Sequence, residues 1–433
     1  MYAWERRVPL VPADLAALAE QGFRFVVQSS EKRAFSDEEY RAVGCDVVPS
    51  LDACSLIIGL KEVPADVFEK DKVYVYFSHT IKGQMANMPL LQTALDLGCT
   101  ILDYERIVDE NDRRLIFFGN FAGYAGAIDA LWTLGRRLAW EGIANPFEAV
   151  GQASTYASLE EAKNAVRAVG KAILADGLPQ EISPLVLGVA GYGNVSKGAQ
   201  AILDLLPVNE LPASTLLQVE PLAVTQSASQ PILKVVFRES DTVLRLDPSQ
   251  PFNLQEYYNH PERYRGAFER YLPHLHALIN CIYWEPRYPK LVTTDALGEL
   301  FADGQPNLRV IGDITCDVGG SIEATVKATE PDDPVYVFDP ASGEIASGIE
   351  GRGPVVVAVD ILPSELPREA SSYFSGILKG FLPAIAGADY SADFHALDLP
   401  PELKRSVIAH NGRLTPDYQY LENHLPAADG AAS

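Results

Sequence analysis

Several charged or titratable side chains in the first quarter of the chain come shortly after apolar runs. Lys61, His79 and Glu105 each follow such a run, and Arg7 lies near the start. Because the carboxyl ends of parallel strands meet at one edge of a sheet, we expect these groups to converge on one cleft. A lysine whose pKa is lowered by burial and nearby cations can act as a base, and a histidine exchanges a proton near neutral pH. The pattern predicts an acid–base site, although each residue alone is also explained as a solvated charge at a strand end.

A glycine-rich turn lies between a predicted strand at 184–189 and a helix that we expect to open at Ala199. Gly191 and Gly193 permit a tight turn and a close backbone approach, and Ser196 is small enough for close helix packing. The amide groups at the start of such a helix can bind a pyrophosphate. The motif therefore predicts a dinucleotide site, and a plain strand-to-helix turn is the alternative.

The acidic residue that would bind a ribose hydroxyl is expected about 20 residues after this turn. Glu220 is the candidate at that distance. Residues 206–265 carry scattered Pro, Ser and Gln and show no clear strand pattern. The residues therefore leave the choice between NAD and NADP open.

Helical patterns alternate with short apolar strands along most of the chain, which predicts an α/β fold with open parallel sheets. The predicted strands are 23–28, 46–48, 54–60, 73–77, 100–102, 184–189, 276–283 and 308–314. The predicted helices are 11–22, 37–43, 88–97, 123–141 and 159–175. The last seven residues, 427–433, are expected to be disordered.

The balance of charge limits the kinds of ligand that the protein can attract. The 433 residues include 35 Lys and Arg against 58 Asp and Glu, which gives a formal net charge of −23. Electrostatic repulsion at this charge argues against binding to nucleic acid or to anionic lipid. A small anionic substrate needs a local cluster of cations that acts at close range.

The cysteines and the hydropathy pattern bear on the compartment. The five cysteines show no CxxC spacing, so we expect neither a disulfide framework nor a zinc site, and no other metal site is indicated. No apolar run approaches the roughly 18 residues of a membrane span. The N-terminal segment is charged at once and does not resemble a signal peptide. We therefore expect a cytoplasmic protein.

Other polar residues give weaker signals. Asp313 and Asp317, framed by glycines, either lie near the ligand or form a turn. His260, His274 and His276 are too scattered for a metal site and are predicted to be surface or packing residues. No Walker A motif, HExxH motif or Ser-His-Asp order is present, which argues against the commonest NTPases and hydrolases.

Longer strings of residues resemble the lysine-ketoglutarate reductase family, the saccharopine-forming half of the bifunctional aminoadipic semialdehyde synthases. The strings in the first part of the chain are WERRVPL at 4–10, GLKEVP at 59–64, YFSHTIK at 76–82, ANMPLL at 86–91, DYE at 103–105 and FAG at 121–123. Those in the second part are GNVS at 193–196, IYWE at 282–285, DIT at 313–315, GGSIE at 319–323 and LPREA at 366–370. They run along nearly the whole chain apart from 206–250 and are far more specific than the glycine turn.

This resemblance implies the fold of alanine dehydrogenase and of the transhydrogenase nucleotide-binding subunit, in which two Rossmann-like domains with parallel sheets flank a cleft. It implies a substrate-binding and catalytic domain at 1–125, completed by 366–433, and a dinucleotide-binding domain at 126–365. It also implies the reaction. The ε-amine of L-lysine condenses with 2-oxoglutarate, the imine takes a hydride from NADPH, with NADH as a possible substitute, and saccharopine forms.

The resemblance also assigns catalytic and binding roles to individual residues. Lys61 and His79 resemble the catalytic pair, which moves protons in the ammonium, carbinolamine and imine steps. Arg7 and Lys82 resemble the cations that hold the substrate carboxylates. This agrees with the charge of 2-oxoglutarate, a dianion that needs local cations to bind to a strongly negative protein.

Acidic residues and the cofactor turn complete the expected site. Glu62, Glu105 and Asp317 resemble acidic neighbours that tune the catalytic pair or hold the cationic end of lysine. The residues expected to bind the cofactor are Gly191, Gly193, Asn194, Val195 and Ser196.

Two features depart from the family pattern, and two other functions remain open. A strand usually precedes the string at 4–10, and the chain leaves no room for it. Either the start is truncated or misassigned, or the first sheet lacks its opening strand, in which case we expect Arg7 to be held less firmly. The saccharopine-cleaving half is absent, so we expect a separate enzyme to split the product.

The alternatives to saccharopine formation are a related reductive aminase, such as an alanine-dehydrogenase-like enzyme acting on ammonia and pyruvate, and a non-catalytic nucleotide-binding scaffold.

Overall fold

The computed structural model describes residues 4–218 and 231–426. The chain divides into two compact units. The first unit is Met1–Phe118 together with Pro367–Ser433, and the second unit is Gly119–Leu366. Glu220, which the sequence proposed for ribose binding, and the tail at 427–433 lie outside the described residues.

The helices and strands follow the predicted alternation over most of the described residues. The helices are α1 (Pro12–Ala19), α2 (Asp37–Ala42), α3 (Met88–Asp96), α4 (Gly119–Trp140), α5 (Leu159–Asp176), α6 (Asn194–Leu203), α7 (Glu239–Thr242), α8 (Leu254–Asn259), α9 (Thr294–Leu300), α10 (Pro367–Leu378), α11 (Leu382–Gly387) and α12 (Pro401–Lys404). The strands are β1 (Val26–Gln28), β2 (Asp46–Val48), β3 (Leu56–Ile58), β4 (Val73–Tyr76), β5 (Thr100–Asp103), β6 (Leu185–Ala190), β7 (Val208–Glu210), β8 (Ile232–Phe237), β9 (Val243–Arg245), β10 (Tyr264–Gly266), β11 (Ala277–Asn280), β12 (Val310–Asp313), β13 (Val335–Phe338), β14 (Ile345–Ser347), β15 (Val355–Val357), β16 (Val407–His410) and β17 (Arg413–Leu414).

The main sheet of the first unit has the strand order β17-β16-β5-β4-β3. Strands β3, β4 and β5 are parallel, and β16 is antiparallel to β5. Every residue of β4 and β5 is buried, as expected for central strands covered on both faces. The carboxyl ends of β3, β4 and β5 therefore lie side by side at one edge of the sheet.

The main sheet of the second unit has the strand order β14-β13-β15-β12-β11-β6-β8-β7. Strand β6 lies between β11 and β8 and is parallel to both. Within the described sheet, β13 runs antiparallel to both of its neighbours, β14 and β15. The rest of the sheet is parallel, and in open α/β sheets of this kind ligands bind beyond the carboxyl ends of the strands.

Glycines let helix α4 and helix α6 pack backbone against backbone in the second unit. A Cβ atom on Gly123 would lie 2.0 Å from the carbonyl oxygen of Val195, and one on Gly198 would lie 2.1 Å from that of Asn120. No side chain fits at either position without moving the backbone. These glycines therefore fix the position of the N-terminal turn of α6, which follows the glycine-rich loop.

One sequence prediction in the second unit was wrong, and one strand was not predicted. Helix α6 begins at Asn194 rather than at Ala199, because Gly193 is the extended N-cap residue and its carbonyl accepts a hydrogen bond from the Lys197 amide at 2.9 Å. Strand β8 was missed because Lys234 interrupts its apolar run. The Lys234 side chain is buried and paired with Asp204 at 2.6 Å and with Glu210 at 2.9 Å.

A buried pair of carboxyl groups connects helix α4 to the 3-10 turn Leu362–Glu365 in the second unit. Asp129 and Glu365 interact with each other in the buried interior, and Asp129 Oδ1 accepts a hydrogen bond from the Ala153 amide at 2.8 Å. Burial raises the pKa of Asp129 to about 6. Burial, followed by repulsion from Asp129, raises the pKa of Glu365 well above its usual value. The pair therefore favours a shared proton in the folded protein.

We expect this pair to make stability depend on pH. A folded-state pKa above the unfolded value gives stability that is complete below the unfolded pKa and is lost as pH rises through about 6. Glu365→Gln keeps a hydrogen-bond donor at every pH, so we expect it to unfold at a higher temperature than the parent chain at about pH 8, and to lose this advantage at about pH 5. Thermal unfolding of both proteins, with the exposed Glu160→Gln as control, tests this. Parallel pH curves for parent and Glu365→Gln would contradict it.

Candidate active site

The first unit brings the predicted acid–base residues to one edge of its sheet. Backbone hydrogen bonds continue beyond the strands, from the Gly59 amide to Val75 at 2.9 Å and from the Phe77 amide to Leu60 at 3.0 Å. Lys61 directly follows Leu60, and His79 follows Phe77 after one intervening residue. Because β3 and β4 are parallel, the two side chains start from neighbouring points at the same edge.

His79 lies between two carboxylates. Its Nδ1–H donates a short hydrogen bond to Glu62 Oε1, and its Nε2 lies 3.9 Å from Glu105 Oε1. The imidazole stacks on the Phe77 ring, with 6.2 Å between ring centroids, and about a quarter of the side chain is exposed. Because Nδ1 is bonded to Glu62, Nε2 is the ring nitrogen that can exchange a proton with a ligand.

Glu62 is held in its ionised form. Burial raises its pKa, but the His79 hydrogen bond, a backbone hydrogen bond and the positive charges of His79 and Lys61 more than compensate, so the pKa falls below its usual value. An ionised Glu62 fixes the His79 ring with its proton on Nδ1 and favours the protonated imidazolium during a reaction. Glu62 therefore orients the histidine ring.

A further cation, Arg114, was missed by the sequence analysis. Its Nη2 lies 3.1 Å from Glu105 Oε2, and nearly half of its side chain is exposed. Arg114 pairs with Val108 in an isolated antiparallel bridge, so the turn between them returns the chain to the strand ends. The signal in the sequence is the polar run at 109–113 after the DYE string, which marks a reversal that brings the next cation back to Glu105.

Arg7 lies in the first unit with a carboxylate already paired to it. Its Nε and Nη2 donate to the two carboxylate oxygens of Glu5 at 2.8 and 2.6 Å, and its guanidinium lies 4.3 Å from the centroid of the Phe118 ring. Only 4% of the side chain is exposed. The expectation that Arg7 is loosely held was therefore wrong.

Lys82 lies in an exposed turn of the first unit. The Gly83 amide donates to the Thr80 carbonyl at 2.8 Å, and the Lys82 amide donates to Gln84 Oε1 at 2.9 Å. The turn begins one residue after His79. Lys82 is thus close in sequence to the His79 cluster but is placed on the surface.

The glycine-rich turn of the second unit has the geometry of a phosphate cradle. Gly191 has a φ of +94°, which favours glycine, and the α-carbon of Gly193 faces open space. The ten-residue helix α6 starts immediately after it, so the amides of Asn194 and Val195 lack partners within the helix. Ser196 is fully buried and accepts a hydrogen bond from Gln200 at 2.9 Å. These residues fit the pyrophosphate of a dinucleotide.

The strand next to this turn carries an acidic residue and a cation that the sequence analysis missed. Strand β8 pairs with β6 so that Phe237 lies opposite Ala190, and Arg238 and Glu239 follow at the carboxyl end. Glu239 Oε1 accepts from Tyr192 at 3.3 Å and from Tyr258 at 2.6 Å. In nucleotide-binding sheets this strand end faces the adenosine ribose. The six-residue run at 232–237 was the available signal.

Asp313 and Asp317 have different surroundings in the second unit. Asp313 is buried at the end of β12 and accepts from Asn280 Nδ2 at 2.8 Å and from Thr325 Oγ1 at 2.6 Å, so it holds the ends of β11 and β12. Asp317 is exposed in the following turn, where its carbonyl accepts from the Gly320 amide at 2.7 Å. The structure therefore gives Asp313 a structural role and places Asp317 at the surface.

Residues 4–218 and 231–426 form the part of the chain that the structure describes. They contain no group of three or more His, Cys, Asp or Glu side chains arranged to hold a metal ion. Within the same ranges, no helix is long and apolar enough to cross a membrane. All five cysteines are unpaired.

Comparison with known proteins gives a family match and close relatives. Residues 1–125 match the family described as alanine dehydrogenase/PNT, N-terminal domain. The chain is 41% identical over 432 residues to the alpha-aminoadipic semialdehyde synthase of Arabidopsis thaliana, which covers 96% of this chain and 40% of that protein. The mitochondrial synthase of Rattus norvegicus is 33% identical, with 97% and 46% coverage. The chain therefore spans less than half the length of these relatives.

A second kind of relative has a length similar to that of this chain. The NAD(+), L-lysine-forming saccharopine dehydrogenase of Emericella nidulans is 26% identical over 388 residues, covering 86% of this chain and 87% of that protein. Among solved structures, L-alanine dehydrogenase matches with a TM-score of 0.62 at 18% identity over 98% of both chains. A transhydrogenase from Sinorhizobium meliloti matches with a TM-score of 0.58 at 17% identity over 96% of this chain and 98% of its own. The chain has the alanine dehydrogenase fold.

Proposed function

We propose that this chain, a homologue of the alpha-aminoadipic semialdehyde synthases and saccharopine dehydrogenases, is an NAD(P)-dependent oxidoreductase that forms saccharopine from L-lysine and 2-oxoglutarate. The observation that carries the proposal is the cluster of Lys61, Glu62, His79 and Glu105 at the ends of three parallel strands. Reductive condensation needs such a cluster, because a proton must leave an ammonium group and others must move on the carbinolamine.

Lys61 is assigned as the base that takes the proton from the ε-ammonium group of the substrate lysine. The freed amine attacks the keto carbon of 2-oxoglutarate and forms a carbinolamine. His79 Nε2 then donates a proton to the departing hydroxyl group, which leaves as water and gives the imine. A bound nicotinamide cofactor supplies the hydride that reduces the imine carbon. Glu62 holds the histidine ring in place throughout.

Cations near the cluster are assigned to the carboxylates of the substrates. Arg114 is in direct contact with Glu105, next to His79, and is partly exposed, so it is well placed for a carboxylate of 2-oxoglutarate. Arg7 is assigned the same role at greater cost, because an incoming carboxylate must share its guanidinium with Glu5. Lys82 and Asp317 are assigned to the charged ends of the substrates, as the resemblance implies.

The second unit is assigned to the cofactor, with NADPH preferred over NADH. Gly191, Gly193 and the first turn of α6 would hold the pyrophosphate. Arg238 is exposed at the end of β8, with its guanidinium 5.0 Å from the centroid of the Tyr192 ring. An arginine at this position can bind the 2′-phosphate of NADPH, whereas Glu239 favours the free hydroxyl of NADH. Two tyrosine hydroxyls already donate hydrogen bonds to Glu239, so its carboxylate is less available to a ribose hydroxyl. This supports the choice of NADPH.

We expect substitutions at the end of β8 to change cofactor preference in opposite directions. Arg238→Ala removes the cation for the 2′-phosphate and is expected to lower kcat/KM for NADPH by about tenfold or more, with NADH unaffected. Glu239→Gln removes a negative charge and is expected to lower the NADH to NADPH ratio of kcat/KM. Steady-state rates with both cofactors measure this, and Arg265→Ala, an exposed arginine on β10, is the control. Equal effects on both cofactors would show that Arg238 does not contact the phosphate.

The test of the proposed reaction is the loss of reduced-nicotinamide absorbance with purified protein, L-lysine and 2-oxoglutarate. We expect consumption of NADPH that requires both substrates. The same assay with ammonium and pyruvate tests for an alanine-dehydrogenase-like reaction, and turnover with that pair alone would overturn the proposal. Tight cofactor binding without turnover of either pair would favour a non-catalytic scaffold.

The state of the cysteines bears on the compartment, and the structure of the product bears on the next reaction. The unpaired state of all five cysteines supports a reducing compartment, and we propose the cytoplasm. Saccharopine formed here must be consumed by an enzyme that oxidatively splits its secondary amine.

A further inference from the structure

Asp103 is a buried carboxylate that lies beneath the catalytic cluster without belonging to it. It occupies the last position of β5 and its exposure is 0%. Its Oδ2 accepts a hydrogen bond from the Ser78 amide at 3.1 Å and a short one from the Ser78 hydroxyl. Its Oδ1 accepts from the Glu105 amide at 2.7 Å. One carboxylate thus joins the ends of β4 and β5.

The Ser78 contacts bear directly on His79. His79 has a φ of +48°, a region that is unfavourable for a residue with a Cβ atom and needs support from its surroundings. Asp103 fixes the preceding residue, and the Ser78 hydroxyl lies 2.6 Å from that of Thr80, which fixes the following one. The backbone on both sides of the histidine is therefore held by one buried polar network.

The hydrogen bond from the Glu105 amide to Asp103 positions the carboxylate on the other side of the imidazole. Asp103 is the N-cap of the 3-10 turn Tyr104–Arg106, so its carboxylate sets the position of the Glu105 backbone. The Tyr104 hydroxyl in the same turn donates to the Gly59 carbonyl at 2.9 Å, which connects the turn to the end of β3. Displacing this turn would move Glu105 away from His79 Nε2.

We propose that Asp103 is a positioning residue, which holds His79 between Glu62 and Glu105 through its hydrogen bonds to Ser78 and Glu105 and does not touch substrate. The inference rests on the proposed function, because it assumes that His79 transfers protons. Burial, with a smaller contribution from the negative charge of Glu105, raises the pKa of Asp103 to about 6 even though three hydrogen bonds from Ser78 and Glu105 lower it, so keeping a carboxylate here is costly. Ionisable groups with a shifted pKa are typical of functional sites.

The kinetic test uses Asp103→Asn and Ser78→Ala. We expect each to lower kcat by about 10- to 100-fold, the range found when a group that orients a ligating histidine is removed, while KM for each substrate changes by less than about threefold. In a His79→Gln background we expect Asp103→Asn to cause no further loss, because its effect passes through the histidine. Asp389→Asn is the matched control, since Asp389 accepts the same pair of bonds from Ser391 on the surface.

A spectroscopic readout separates this inference from the proposed function. The chain has seven histidines, and isotope-labelled imidazole signals can be assigned to His79 by comparison with His79→Gln. We expect Asp103→Asn or Ser78→Ala to move the titration of His79 alone. An unchanged His79 titration in a folded variant, or full additivity with His79→Gln, would overturn the inference. If the parent protein fails to turn over lysine and 2-oxoglutarate, the proposed function fails, and the His79 titration still decides the role of Asp103.

Discussion

Lys61→Met is expected to lower kcat for the condensation of lysine with 2-oxoglutarate by about 10²- to 10⁴-fold, the contribution typical of a general base. Methionine keeps the length of the side chain but cannot take a proton from the substrate ammonium. The positive charge of Lys61 also helps to lower the pKa of Glu62, so the variant weakens the group that orients His79. Both effects act in the same direction, and steady-state kinetics over a range of pH measures them.

The matched control for Lys61 is Lys70→Met, an exposed lysine of the same unit. We expect Lys70→Met to keep the parent rate. Raising the pH should recover part of the Lys61→Met loss, because a larger fraction of the substrate amine is then already neutral. Unchanged turnover in Lys61→Met, or a loss that is independent of pH, would remove Lys61 from the role of base.

His79→Gln is expected to produce a loss of kcat of similar size, about 10²- to 10⁴-fold. Glutamine can still donate a hydrogen bond to Glu62, so the buried carboxylate keeps a partner and the fold is maintained. What is lost is the group that exchanges a proton at the position of Nε2. Rate measurements with the substrate lysine and 2-oxoglutarate, compared with the exposed His395→Gln as control, test the assignment.

A second measurement distinguishes proton transfer from simple packing in His79→Gln. We expect the limb of the kcat profile that reports the imidazole to disappear, while cofactor binding is retained because the glycine-rich turn lies in the other unit. A pH profile identical in shape to that of the parent, with a uniform drop in rate, would contradict a proton-transfer role for His79.

The convergence at the strand ends was predictable because it depends on topology rather than on side-chain detail. Parallel neighbours β3, β4 and β5 place their carboxyl ends together, so residues after three apolar runs must meet. The structure accordingly brings His79, Glu62 and Glu105 into contact distance. Their catalytic roles remain predictions that the variants above test.

Other parts of the site depend on side-chain contacts that the positions of the strand ends do not specify. Arg114 reaches Glu105 only because the chain reverses after Val108, and Arg7 pairs with a carboxylate two residues away instead of remaining available. Predicting either requires the path of the backbone in three dimensions. A strand-end rule alone identifies the charges but not their partners.

Strand β8 of the second unit was not predicted for a different reason. Strand β8 contains a lysine in its centre, and a buried lysine is acceptable only because Asp204 and Glu210 lie beside it. These partners come from elements far away in sequence. Because β8 was not predicted, Glu239 at its end was not considered, and the Glu220 candidate lies outside the described residues.

The most direct test of the proposed reaction is the identity of the product formed with cofactor deuterated at the transferable position. The protein is incubated with L-lysine, 2-oxoglutarate and the deuterated reduced cofactor, and the product is analysed by mass spectrometry. The account predicts a secondary amine with the mass of lysine plus 2-oxoglutarate, less one water, with one hydrogen and one deuterium added, the deuterium lying on the former keto carbon. A deuterated product that contains no lysine carbon, such as 2-hydroxyglutarate or glutamate, would contradict it.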